Sequence, residues 1–296
     1  MPRAVELTEN IKAGKAGGLV LKNSLSLLEK NFRAAKGGGF AGIPTGIKEL
    51  DNALGGLQTG LHILAAEPGA GKTALALNIV RHCSREGYPV TYATFDEIPE
   101  RLLIKIITAE IGLDVGKLLK GATDPQKFAD AAYQYGHQSI NNISFLSGIN
   151  FRPLEFADQL RDQIAESDKD TGLLIVDYLQ PLATLVASQK CIDIRIAIAQ
   201  VATQLRNLAN ALNVPVIVIS AQNREGQGKA KLTSLREASD LEYSADSVTF
   251  ITNDEDKHVG QDRYARDLTI GKNRFGPSNK IIKLILNGKT QEISAG

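Results

Sequence analysis

A chain of 296 residues, 43% of them hydrophobic, can bury one large core or two ordinary ones. Its 34 Lys and Arg against 33 Asp and Glu leave a formal net charge of +1, which excludes a polybasic protein held to its partner by bulk charge but permits a local basic groove. No apolar stretch is long enough to span a bilayer, no N-terminal hydrophobic region reads as a leader, and Cys83 and Cys191 fit no ligand spacing, so the expectation is a globular, cytoplasmic protein with no membrane partner and two reduced, largely buried thiols.

Residues 1–18 are polar and glycine-spotted and read as a mobile N-terminus. A linker helix is expected within 19–39, where Leu21, Leu25, Leu28 and Phe32 recur at i, i+4, i+7 and i+11 and glycines 37–39 end it. Cut off by glycines, such a helix cannot bury its stripe alone. It either folds back on its own domain or docks on another subunit, and the second is the preferred reading. Residues 40–296 read as one α/β domain. Apolar, strand-like runs occur at 61–66, 89–95, 173–176, 214–220, 247–252 and 267–271, with helical periods at 72–86, 99–112, 153–166 and 194–212. Continuous apolar strands separated by helices imply a mainly parallel sheet covered on both faces. At the C-terminus, Asn287-Gly288 between two strand-like runs predicts a tight β-hairpin.

Residues 66–73, AEPGAGKT, follow an apolar strand and open a helix. That is the order of parts in a nucleoside-triphosphate phosphate cradle. Small residues let backbone N–H groups approach phosphates, and the helix N-terminus adds partial positive charge. Glu67, Pro68, Gly69, Ala70, Gly71, Lys72, Thr73 and Ala74 are the expected nucleotide-binding residues; Lys72 would reach the β and γ oxygens, and the Thr73 hydroxyl would hold Mg²⁺. The pattern GxxxxGK[ST] departs at its first position, which here is Ala66.

Further acids and amides stand at strand ends. Asp177 closes the run LLIVD, where a parallel sheet presents ligand-side groups, and would share the Mg²⁺ with Thr73; a plain turn cap is the alternative. Asp96 and Glu97 end the strand at 89–95, and either can orient the water that attacks ATP, or both are solvated acids at a helix start. Gln222 follows the strand VPVIVIS, placed to sense the terminal phosphate or simply to begin a loop. Lys272 and Arg274 alternate along a strand, so both point to one side. They suit an arginine finger supplied to a neighbouring subunit, with a solvated basic edge strand as the alternative.

Taken together these blocks resemble the DnaB-type replicative helicases, a hexameric branch of the RecA-like ATPases. The resemblance is carried by GIPTGIKELDNALGGLQTG (42–60), AEPGAGKTALALNIV, IVDYLQ (175–180), VPVIVISAQNREG, LREASDLEYSAD and GKNRFGP (271–277), in the family's order over most of 20–290. It implies a RecA-like P-loop NTPase fold in which the Gln222 strand lies between the nucleotide-loop and Asp177 strands. It also implies an ATP- and Mg²⁺-dependent helicase in DNA replication, working as a ring, a hexamer, that moves 5′→3′ on single-stranded DNA. Lys272 and Arg274 would act on the neighbour's ATP, the helix at 21–36 would grip a neighbour, and a helicase loader or primase would be a partner. The family's catalytic glutamate matches Asp96 by its spacing to Leu102, although TFDEIPERLL also resembles the paired acids of KaiC and RadA relatives. That second likeness keeps open a recombination, repair or regulatory ATPase without unwinding, and an adaptor that turns over poorly is a third class. The family's N-terminal primase-binding domain has no counterpart in the roughly 20 residues before the linker helix, which suggests a minimal version from a phage or mobile element. DNA in the ring's channel would meet polar or basic loops at 183–193 and 223–233, with Arg224, Lys229 and Lys231 as phosphate contacts, or those cations are solvated. The second loop has no aromatic residue for base stacking.

Overall fold

The computed structural model describes residues 39–122, 124–138, 142–147, 153–222, 238–260 and 262–296. The expected linker helix therefore lies outside the described residues, as do Arg224, Lys229 and Lys231. Every predicted strand forms. In chain order the strands are β1 (Gly60–Ala66), β2 (Val90–Thr94), β3 (Ile143–Ser147), β4 (Leu173–Asp177), β5 (Pro215–Ala221), β6 (Ser247–Gly260), β7 (Arg263–Asn273), β8 (Lys280–Asn287) and β9 (Ile293–Ala295). They make one sheet ordered β3-β2-β4-β5-β1-β6-β7-β8-β9, parallel from β3 to β6 and antiparallel beyond. The β5 strand does lie between β1 and β4.

The helices are α1 (Lys48–Leu54), α2 (Lys72–Arg85), α3 (Pro99–Ile111), α4 (Val115–Leu119), α5 (Pro125–Gln138), α6 (Pro153–Glu166), α7 (Leu179–Lys190), α8 (Ile194–Leu212) and α9 (Ala238–Ser244). They cover both faces. Along β1, Leu61, Ile63 and Ala65 enter a core with α7 and α8, while Leu64 and Ala66 enter one with α2 and α3. β4 and β5 alternate in the same way, Val216 and Val218 to one side, Ile217 and Ile219 to the other. Two-sided burial is why these strands read as unbroken apolar runs.

Three expectations need correction. The stretch 183–193, read as a loop, is mostly the helix α7. Only Leu179, Leu182 and Ala183 of it are buried, so its polar outer face disguises the helical period. Cys191 caps that helix in the left-handed region (φ 51°) and is exposed, whereas Cys83 is buried as expected. The C-terminal hairpin exists, but Asn287-Gly288 is not a two-residue turn. Leu286 pairs with Ile293, and the Asn287 side chain accepts from the N–H groups of Lys289 (3.0 Å) and Thr290 (3.4 Å) to close a longer loop. Gly288 is needed for space, since a Cβ there would stand 2.8 Å from the Tyr264 ring.

His62 on β1 is buried between the Gln58 carbonyl (2.7 Å from Nε2) and the Ser247 hydroxyl (2.8 Å from Nδ1). Burial pushes its pKa below the ordinary 6.5, so the fold prefers the neutral ring. Stability from this site is complete above pH 6.5 and is lost as pH falls through the lowered value. We expect His62→Gln to flatten the fall in denaturant midpoint between neutral and mildly acidic pH. An unchanged pH slope would show that other groups carry the acid sensitivity.

Candidate nucleotide site

Parallel register puts the functional ends together. Ala66 pairs with Ala221, Thr94 pairs with Asp177, and the Gln222 N–H donates to the Ala66 carbonyl at 3.1 Å. The carboxyl ends of β1, β2, β4 and β5 thus share the edge where open α/β sheets take ligands. Ala66 itself is still strand, fully buried and paired on both sides with Ala221 and Ile251. Its backbone makes no glycine-like turn, which explains why alanine serves at the motif's first position.

The chain then crosses from β1 to α2 through Glu67–Gly71. Glu67 and Ala70 are buried, Pro68 and Gly69 exposed, and the Ala70 N–H donates to the Glu67 carbonyl at 3.2 Å. Gly71 precedes α2 at φ 103°, a conformation costly for any residue with a Cβ. Among the described residues no side chain caps the helix, so its first N–H groups point at the mouth of the loop. From the far side Arg266 on β7, itself buried, donates from Nε to the Ala70 carbonyl at 2.9 Å and braces the loop.

Lys72 and Thr73 open α2, and Ala74 behind them is buried. The Lys72 ammonium lies 4.8 Å from the centre of the Tyr178 ring. The Thr73 hydroxyl donates to Asp177 Oδ2 at 3.2 Å, and the Tyr92 hydroxyl donates to the same oxygen at 2.6 Å. Asp177 is 2% exposed, and its Oδ1 is buried without a hydrogen-bond partner among the described residues. Burial raises its pKa, opposed by the Tyr92 hydrogen bond and the Lys72 charge. A buried carboxylate with one bare oxygen is costly unless a cation or its water completes it. One threonine hydroxyl and one carboxylate, with waters and phosphate oxygens, is a donor set suited to Mg²⁺.

The paired acids part company. Glu97 accepts from the Lys105 ammonium on α3 at 2.6 Å, whereas Asp96 is exposed and its negative charge is felt by Asp177 and Tyr92. Gln222 is buried at the end of β5.

Lys272 and Arg274 are elsewhere. β7 ends at Asn273, so Arg274 lies just past the strand, yet both cations reach the junction of α9 and β6. Lys272 Nζ donates to the Glu242 carbonyl, and Arg274 Nη1 pairs with Asp246 Oδ1 at 2.8 Å. Asp246 also takes Arg206 at 3.3 Å and the Leu61 N–H at 3.0 Å. Arg274 is thereby tied to the start of β1, while the phosphate loop leaves from its end. The seven residues of β1 separate them by about 20 Å.

The sequence profile of the DnaB-like helicase C-terminal domain matches residues 42–294. The chain belongs to that family. It is 30% identical over 284 residues to the replicative DNA helicase DnaB of Buchnera aphidicola subsp. Baizongia pistaciae, and 27% identical over 279 residues to that of Haemophilus influenzae. Each match covers 91% of this chain and 58% of the relative, so the chain spans little more than half the length of these curated DnaB proteins. Among solved structures, one described as an ATPase domain superposes with a TM-score of 0.80 at 20% identity, covering 94% of this chain and 99% of that one. A DnaB-like replicative helicase, described with its interactions with primase, superposes at 0.76 and 20% identity over 99% of this chain and 72% of that one. These two likenesses establish the RecA-like fold of DnaB-family ATPase domains.

Residue-by-residue reading missed Tyr92, Arg266 and Lys105. Tyr92 carried a faint signal, since a phenol hydroxyl in a strand buried on both faces has to find a partner. Arg266 and Lys105 carried none, because their partners are set by β7 register and α3 packing.

Proposed function

We propose that this chain is the motor portion of an ATP-driven DNA helicase of replication, working as a homo-oligomeric ring, a hexamer, on single-stranded DNA with 5′→3′ movement. One observation carries the reading furthest. Arg274, tied through Asp246 to the start of β1, sits about 20 Å of strand away from its own phosphate loop, which favours its serving a loop on another copy. An ATPase whose site is completed by its neighbour needs a ring or filament to turn over.

Within that site Lys72 and the loop N–H groups hold the phosphates. Thr73 and Asp177 would hold Mg²⁺, which when bound neutralises charge on the phosphate oxygens. Asp96 is the better candidate to orient the attacking water, because Lys105 already occupies Glu97. That pairing sets the two acids apart, which weighs against a KaiC- or RadA-like regulator with two equivalent working acids. Gln222, bonded through its backbone to the end of β1, is suited to report the terminal phosphate to the segment that follows. Arg224, Lys229 and Lys231 in that segment would meet the DNA backbone. A loader or primase is the partner class we propose, primase being named for a structural relative.

The test is ATP hydrolysis with and without single-stranded DNA, together with strand displacement on a forked duplex. We expect stimulation, and we expect the double variant Lys229→Ala/Lys231→Ala to lose it while keeping basal hydrolysis. Its salt slope for DNA binding should fall by about one for each lost phosphate contact. A parent with neither stimulation nor displacement would sink the motor reading in favour of a regulatory ATPase.

A further inference from the structure

Tyr92 is a fully buried phenol on β2, between β3 and β4 in the parallel part of the sheet, and the roles above leave it unused. Its position is set twice over. Backbone register places it opposite Ile175, two residues before the Thr94–Asp177 pair, and its ring packs against Phe145 of β3 at 5.7 Å between centres. The hydroxyl is thus held where it meets Asp177 Oδ2 at 2.6 Å, within the range of strong hydrogen bonds to a carboxylate. Thr73 donates to the same oxygen. Two donors on Oδ2 stop the carboxylate from rotating, and the consequence is visible on the other side: Oδ1, buried, has no partner among the described residues.

We infer that Tyr92 is a positioning residue for Asp177, fixing the carboxylate so that Oδ1 is presented to the hydration shell of the divalent cation bound with the nucleotide. The inference rests on the proposed nucleotide site and assigns it a part that no motif contains. Outer partners of this kind orient a ligand without touching the metal, and their loss costs about 10–100-fold in metal affinity. Without the Tyr92 hydroxyl the carboxylate keeps only Thr73, whose own oxygen is also a proposed metal ligand, so both donors to the cation lose their fixed geometry together. Nucleotide contacts made by Lys72 and the loop N–H groups do not pass through Tyr92.

The test uses the full chain and Tyr92→Phe, which keeps the ring and removes one oxygen. Fluorescent ADP affinity is measured first in EDTA, then across a Mg²⁺ titration, with Mn²⁺ binding to the nucleotide complex read by electron paramagnetic resonance. We expect unchanged affinity in EDTA, and an Mg²⁺ midpoint and Mn²⁺ dissociation constant raised by about 10–100-fold. In a double-mutant cycle, Tyr92→Phe should have no further effect on either metal reading once Asp177→Asn is present. An unchanged Mg²⁺ midpoint overturns the inference and leaves the nucleotide site standing. Equal loss with and without metal also overturns it, returning Tyr92 to a packing role. A parent whose ADP affinity ignores Mg²⁺ would instead bring down the metal assignment of Thr73 and Asp177, and this inference with it.

Discussion

Arg274→Ala should fold, bind ATP and assemble like the parent, yet hydrolyse ATP more slowly by roughly 10³–10⁵, the range over which a finger arginine acts on transition-state charge. The small structural cost follows from the geometry. Arg274 is 42% exposed in its pair with Asp246, and an ion pair that open contributes about 0–1 kcal/mol. Asp246 meanwhile keeps Arg206 at 3.3 Å and the Leu61 N–H at 3.0 Å, so its buried carboxylate is not stranded. A thermal midpoint close to the parent's together with a collapsed turnover number is therefore the expected signature. Strong destabilisation would place Arg274 in the frame of the fold instead.

Mixing decides whether the finger acts between subunits. Arg274→Ala supplies an intact phosphate loop, and Lys72→Ala supplies an intact finger. In mixed rings some interfaces join the two, and activity should partly return as the ratio is varied. If co-assembled rings stay inactive at every ratio, Arg274 does not serve a neighbour, and the placement at the start of β1 needs another explanation.

How much of this was legible beforehand depended on how each residue is held. The parallel strands were plain because β1, β4 and β5 are buried on both faces and so spell continuous apolar runs. β3 escaped because Ile143–Ser147 is a short edge strand, only half-buried, with serines at two of its five positions. α5 and α7 escaped because each buries few of its residues, which leaves no broad apolar stripe to read. The strand, loop and helix start around 66–73 and the strand-end position of Asp177 could be read because the motif pattern ties particular residue types to those places. The different settings of Asp96 and Glu97 could not, since Glu97 is paired with a lysine eight positions later that α3 carries back to it. Nor could the distance between Arg274 and its own loop. That is a matter of register: β6 runs parallel to β1 and β7 returns antiparallel, which brings residue 274 to the beginning of β1.

Lys72→Ala carries the other large effect, and here binding as well as turnover should fail. Lys72 sits in the first turn of α2, half-buried, with its ammonium beside the Tyr178 ring and its charge acting on Asp177. Among the described contacts it neither closes a salt bridge nor braces the loop; Arg266 does the bracing through Ala70. Its removal should leave the fold intact. A hydrogen bond to a charged group contributes about 1.5–3 kcal/mol, so a lysine bridging β and γ oxygens accounts for about 3–6 kcal/mol. At 1.4 kcal/mol per tenfold, that is on the order of 10²–10⁴ across nucleotide binding and hydrolysis together. The loss should be larger for ATP than for ADP, because only ATP offers the γ oxygen. Calorimetric titration with each nucleotide, beside a thermal melt of the free protein, measures all three quantities. Parent-like affinity for ATP and parent-like hydrolysis would mean that residues 66–73 are an ordinary turn before a helix, and that the phosphates, if bound at all, lie elsewhere on the sheet edge.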